Sequence, residues 1–173
     1  MGLLLLAGIA TPGFAGEGAS EVDGGDPLRI EHISMEELRT LVQRPSERIR
    51  LFNVWATWCP PCVDEFPELL AIQSDFREHL ELIAISANTP EEEEDVRAFL
   101  ERQGASGRNL LFDNDDLHSM VKALDRRWKE ILPHTVLVDR TGRIRFRREG
   151  RIDEAKLRSE IAKLLDRERS AAR

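Results

Sequence analysis

Apolar residues fall along this chain in two alternating rhythms, near-continuous runs of strand length and stripes of helical spacing. Ile49 to Trp55 is apolar enough for a buried strand, and Phe66, Leu69, Leu70 and Phe76 then mark one face of a helix that begins near Cys59. Leu80 to Ser86 reads as a second buried strand. Thr89-Pro90 opens a helix to about Gln103, with Glu91 to Glu94 near its positive end and Gly104 closing it. Leu110 to Phe112 is a short strand, and Leu117, Met120, Val121 and Leu124 fit a short helix. Thr135–Asp139 and Arg143–Arg147 flank Arg140-Thr141-Gly142 as a hairpin, and Leu157, Ile161, Leu164 and Leu165 stripe a last helix. Upstream, Ser34 and Glu37 form a capping box for a helix striped by Met35, Leu38, Leu41 and Val42, with Pro45 beyond its end. The predicted order, α-β-α-β-α-β-α-β-β-α, implies an α/β domain whose mixed sheet is covered by helices.

At 173 residues the chain has the length of one domain with a core of ordinary size. Its charge is uneven: residues 126–173 hold 15 Lys and Arg against 8 Asp and Glu, and residues 1–125 hold 10 against 24. Arg143, Arg145, Arg147, Arg148 and Arg151 make most of the basic cluster, which reads as a solvated hairpin and helix face or as a surface for an acidic protein partner. A net charge of −7 argues against nucleic acid. The first 16 residues carry no charged side chain, and Leu3 to Ala10 is a short apolar core followed by Gly13-Phe14-Ala15. Residues 1–15 therefore read as a signal peptide, although no Lys or Arg precedes the apolar run. Residues 16–27 read as a flexible leader and residues 28–173 as the folded domain, exported to the periplasm or another extracytoplasmic space. No cysteine follows the cleavage point, so a lipid anchor there is not supported.

Trp58-Cys59-Pro60-Pro61-Cys62 contains the chain's only two cysteines, at a strand-to-helix junction. A sulfur at the start of a helix faces unpaired N–H groups and the positive end of the macrodipole, which stabilise a thiolate. Pro60 and Pro61 fit the first helical positions, where a missing N–H costs little. Cys62 lies one turn inward and more shielded. The division of labour that follows is attack by Cys59 on a substrate disulfide and resolution by Cys62. A structural disulfide would close too small a loop to stabilise much. A zinc site would need further close-spaced ligands that the chain lacks.

The segment from Asn53 to Pro67, NVWATWCPPCVDEFP, resembles the active-site segment of the TlpA/ResA-like thioredoxin family of extracytoplasmic thiol–disulfide oxidoreductases. Ile131 to Gly142 resembles that family's cis-proline strand and hairpin, and the similarity runs from about residue 28 to 168. Pro133 follows Cys59 by 74 positions, room for the extra strand and helix of the TlpA-like branch before the cis-proline. The resemblance implies a thioredoxin-like fold, a redox-active Cys59–Cys62 disulfide and no diffusible cofactor. It further implies a membrane thiol-electron carrier as donor and an extracytoplasmic protein, such as an apocytochrome c, as substrate. Pro133 would be the cis-proline beside the sulfurs, and Glu65 the buried glutamate that tunes the cysteines and relays protons. Asn53 stands where ordinary thioredoxins keep a buried aspartate, which shifts that burden to Glu65. Trp58 is expected to shield the sulfur and contact substrate, and Trp55 to join the core. His134 departs from the family's small hydroxyl residue. It either turns toward Cys59, where an imidazolium would favour the thiolate, or points into solvent. The competing reading is a copper chaperone that binds metal through Cys59, Cys62 and His134. His32, His79 and His118 fall in linkers or on polar faces, and nothing in the sequence places Trp128.

Overall fold

A computed structural model describes residues 27–171. The signal-peptide reading of residues 1–15 and nearly all of the leader lie outside the described residues. Six strands form one sheet: β1 (Arg29–Ile33), β2 (Ile49–Trp55), β3 (Leu80–Ser86), β4 (Arg108–Phe112), β5 (His134–Val138) and β6 (Ile144–Glu149). Their spatial order is β1-β4-β3-β2-β5-β6, with the first four parallel and β5 and β6 antiparallel to their neighbours. Five α-helices cover it: α1 (Met35–Gln43), α2 (Pro60–Asp75), α3 (Glu93–Arg102), α4 (Leu117–Leu124) and α5 (Glu154–Ala171). The mixed sheet and the additional β4–α4 unit ahead of residue 133 match the order expected from the pattern. β1 is the element that the pattern does not announce, because only Ile33 of its five residues is buried.

Each sheet face has its own core. On one side α1 and α4 pack Leu38, Leu41, Met120 and Val121 against Phe52, Val54, Ile83 and Val136. On the other, α2 and α5 bury Leu69, Ile72, Leu157 and Ile161 against Ile49, Leu51, Leu82 and Leu137. Toward the end of β2 that leads to the cysteines, Trp55 stacks with Phe66 and Phe99, ring centroids 4.9 and 4.6 Å away, and α3 closes this end. Strand alternation thus sends Asn53 and Thr135 toward α2, and Val54 and His134 toward α1 and α4.

Two local devices lock α1 and the hairpin together. Arg50 is fully buried on β2 and donates to the carbonyls of Leu41, Val42 and Arg44, which the end of α1 leaves without intrahelical partners. Asp139 builds the β5–β6 turn: its Oδ1 accepts from Thr141 N–H at 2.9 Å, Thr141 Oγ1 at 2.7 Å and Arg143 N–H at 3.0 Å. Gly142, at φ +83°, then lies so close to α1 that a Cβ on it would stand 2.1 Å from the Gln43 carbonyl oxygen.

Candidate functional site

β2 delivers the chain directly into the cysteine segment. Cys59 is the N-cap of α2, with Pro60 and Pro61 in the first helical positions. Its carbonyl accepts from Cys62 N–H at 3.0 Å and Val63 N–H at 3.1 Å, so the helix is wound from its first turn. The two cysteines are disulfide-bonded, with Cα atoms 5.3 Å apart. Their exposure differs: Cys59 keeps 6% of its surface open and Cys62 none. A groove of about 580 Å³ opens over Cys59, lined by Trp58, Pro60, Leu117, Trp128, Glu130 and Leu132 among others. Trp58 stands 54% exposed at its edge, an amphipathic ring left in water beside the Cys59–Cys62 disulfide.

The far wall of the groove is the segment between α4 and β5. The Leu132–Pro133 peptide bond is cis, and Leu132 packs against the cluster that contains both cysteines. Trp128, unplaced by sequence, is a buried groove wall; its indole N–H donates to the Ile131 carbonyl at 2.9 Å. His118, read as a residue on a polar face, also lines the groove and pairs with Glu130 at 3.0 Å. The helical stripe alone could not reveal that this end of α4 faces the sulfurs, because β3, α3 and β4 lie between α2 and α4 along the chain.

Behind Cys62, Glu65 is completely buried between α2 and the sheet. Its Oε1 accepts from Asn53 Nδ2 at 2.9 Å and its Oε2 from the Ile152 backbone N–H at 2.7 Å. Asn53 Nδ2 also donates to Thr135 Oγ1 at 3.1 Å. Burial pushes the Glu65 carboxyl up to about 7, and the two hydrogen bonds recover only part of that cost. A carboxyl balanced near neutrality inside a protein is suited to take up and return a proton.

His134 corrects both expectations offered for it. It is fully buried rather than solvent-facing, and it turns to Asp125 rather than to Cys59. Its Nε2 lies 3.3 Å from Asp125 Oδ2, ion-pair distance but off the line of a straight hydrogen bond. Strand alternation is the reason: Thr135 takes the α2 face, so His134 must take the opposite one. Asp125 also accepts from Arg147 Nε at 2.9 Å and Arg127 N–H at 3.1 Å. Among the described residues no three His, Cys, Asp or Glu side chains gather as a metal site, so the copper trio of Cys59, Cys62 and His134 is not assembled.

The AhpC/TSA family matches residues 31–147. The chain belongs to this family. It is 26% identical to the thiol:disulfide interchange protein HelX of Rhodobacter capsulatus over 94% of this chain and 95% of that protein. It is 33% identical to the thiol:disulfide interchange protein DsbE of Allochromatium vinosum over 69% of this chain and 61% of that one. With the thiol-disulfide oxidoreductase ResA of Halalkalibacterium halodurans it shares 32% identity over 53% of this chain and 48% of the other. Among solved structures, a thioredoxin-family thiol:disulfide interchange protein from Chlorobium tepidum superposes with a TM-score of 0.59 at 18% identity, over 73% of this chain and 83% of the other. That likeness establishes the thioredoxin-like fold. The matching relatives and the paired Cys59 and Cys62 together identify a TlpA/ResA-like thiol–disulfide oxidoreductase.

Proposed function

We propose that this thiol–disulfide oxidoreductase reduces disulfides of extracytoplasmic proteins, with Cys59 as nucleophile and Cys62 as resolving thiol. The observation that carries this reading is the asymmetry of the pair: one sulfur borders an open groove at a helix N-terminus, while the other is sealed. The dithiol form starts the reaction. Cys59 thiolate attacks one sulfur of the substrate disulfide, an enzyme–substrate S–S bond forms, and the other substrate sulfur leaves and takes a proton. Cys62 then gives its proton to Glu65 and attacks the Cys59 sulfur; the second substrate sulfur leaves as a thiolate and takes a proton from water, to which Glu65 returns its own. The substrate gains two electrons and two protons, and the enzyme is left as the Cys59–Cys62 disulfide. Regeneration needs an external dithiol, which we assign to a membrane thiol-electron carrier, with no diffusible cofactor.

Trp58, Pro60, Pro61 and Pro133 shape the entry in this scheme, and His134 acts at a distance by holding Asp125. Export is supported by the apolar opening of the chain and by the kinship with HelX, DsbE and ResA. Among the described residues no helix is long and apolar enough to cross a membrane. The test is a pair of variants: Cys59→Ser should lose disulfide exchange, and Cys62→Ser should accumulate a mixed disulfide with its substrate. Turnover at the wild-type rate by Cys59→Ser would overturn the mechanism. Equilibration with glutathione fixes the direction, since about 30 mV corresponds to about 1.4 kcal/mol for this couple. A potential near the roughly −120 mV of a strong oxidant would reverse the assignment from reductase to oxidase.

A further inference from the structure

A second concave site lies away from the cysteines. A cleft of about 940 Å³ lies between the end of α1, the end of α4 and the β5–β6 hairpin. Six cationic side chains line it: Arg39, Lys122, Arg126, Arg127, Arg143 and Arg147. The lining holds one carboxylate, Asp125, and that group is already engaged by Arg147 and His134. Lys122 is committed as well, its Nζ donating to the Trp128 carbonyl at 2.6 Å. Arg126, Arg127 and Arg143 are exposed, and among the described residues none of the three has a carboxylate at ion-pair distance. In a chain of net charge −7, such a concentration of unneutralised guanidinium groups in one concave site creates a local field that attracts anions.

Position along α4 gives the cleft its meaning. Leu117 and His118, at the start of this helix, line the groove over Cys59, and Lys122 to Leu124, at its end, line the cationic cleft. Eight helical residues span about 12 Å, and an extended chain advances about 3.3 Å per residue. We propose that the cleft docks an acidic stretch of the protein substrate, four to six residues (roughly 12 to 20 Å of extended chain) from the cysteine presented to Cys59. This rests on the reading that protein disulfides are the substrate, and it adds a specificity determinant to that reaction. A concave site of this volume suits several carboxylates on one flexible chain, whereas a flat bilayer surface would reach only its rim. Guanidinium groups offer paired donors to each carboxylate.

The test uses the reduced full-length protein and two peptides that carry the same disulfide, one with four Asp centred five residues away and the other with four Asn. At low ionic strength the Asp peptide should be reduced about 10-fold faster or more, the scale that electrostatic steering supplies. High salt should remove the advantage. So should the triple variant Arg126→Glu, Arg127→Glu, Arg143→Glu, which should still reduce the Asn peptide at the wild-type rate. A second measurement separates docking from exchange: the Asp peptide with its cysteines replaced by Ser should bind wild type, but not the triple variant, in fluorescence anisotropy. If neither disulfide peptide is reduced, the exchange reading falls and the anisotropy still decides the cleft. Equal rates for both peptides, an advantage that survives in the triple variant, or no anisotropy change in wild type would overturn the proposal. Sedimentation of wild type, but not of the triple variant, with phosphatidylglycerol vesicles and no peptide preference would overturn it in favour of a membrane surface.

Discussion

Glu65 shows how one buried side chain ties acidity to stability and to chemistry. Its carboxyl is raised from 4.5 in the unfolded chain to about 7 in the fold, first by burial and only partly offset by Ile152 N–H and Asn53. A raised carboxyl favours folding while it is protonated. Its contribution is therefore complete below pH 4.5 and disappears as pH climbs through 7. The shift corresponds to about 3 kcal/mol as an upper bound. Glu65→Gln cannot ionise, so urea unfolding at pH 5 and pH 8 should show the variant gaining up to that amount, relative to wild type, at the higher pH. If Glu65 also exchanges the Cys62 proton, the same variant should lose an inflection near pH 7 from the rate of mixed-disulfide resolution. The cysteine pair was legible in the chain because its chemistry is written in four consecutive residues. Of the surroundings of Glu65 only Asn53 is signalled, through the family resemblance; Thr135 and Ile152 arrive from β5 and the loop before α5, and no local spacing encodes their meeting.

At the level of elements, the hairpin turn is seated on the end of α1 through contacts that leave no room for a side chain. Gly142→Ala adds a methyl 2.1 Å from the Gln43 carbonyl oxygen, in addition to the strain of φ +83°. Gly104, Gly107 and Gly150 have comparable positive φ but open space where a Cβ would go. Substituting Ala at those three should cost about 1 to 2 kcal/mol each from backbone strain alone, whereas Gly142→Ala should cost clearly more, read as the larger fall in urea midpoint. Arg50→Met probes the same junction from β2: removing the donor shared by three carbonyls at the end of α1 should destabilise by about 2 to 4 kcal/mol. Pattern reading found the helices and central strands, because each buries a regular stripe or an unbroken run. It passed over β1, where Arg29 and His32 are exposed, Ile30 and Glu31 only half-buried, and only the pairing with β4 makes the segment a strand. It also left His134 open, since alternation along β5 has no absolute phase until Thr135 is seen to join Asn53.

Across the whole molecule, two buried carboxyls on opposite faces of the sheet set opposing pH dependences. Asp125 lies on the α4 side, where burial alone would raise it; the His134 imidazole close beside it and hydrogen bonds from Arg127 N–H and Arg147 outweigh that and hold it at about 2, below its usual 3.8. A depressed carboxyl stabilises the fold while it is ionised, so this contribution is present above pH 3.8 and fades as pH falls through 2. It is on the order of 2 kcal/mol, little screened because the side chain is only 2% exposed. Asp125→Asn should thus be less stable than wild type at pH 5, with the gap closing toward pH 2 in acid-unfolding curves. Glu65 acts with the opposite sign at higher pH, so the two groups together favour the fold most between the ordinary values of 3.8 and 4.5. Asp125→Asn should erode the acid flank of the stability profile and Glu65→Gln should lift the neutral flank, and the double variant should show both changes. Additivity is expected because the sheet separates the two sites and they share no hydrogen-bond partner. Asp125 also accepts from Arg127 N–H and, through its backbone carbonyl, from Trp128 N–H, so it anchors the segment that forms the groove wall over Cys59. Exchange with bulky disulfide substrates should accordingly slow in Asp125→Asn more than exchange with a small disulfide that needs no groove. That difference distinguishes a loosened wall from a general loss of folded protein, which would lower both rates alike.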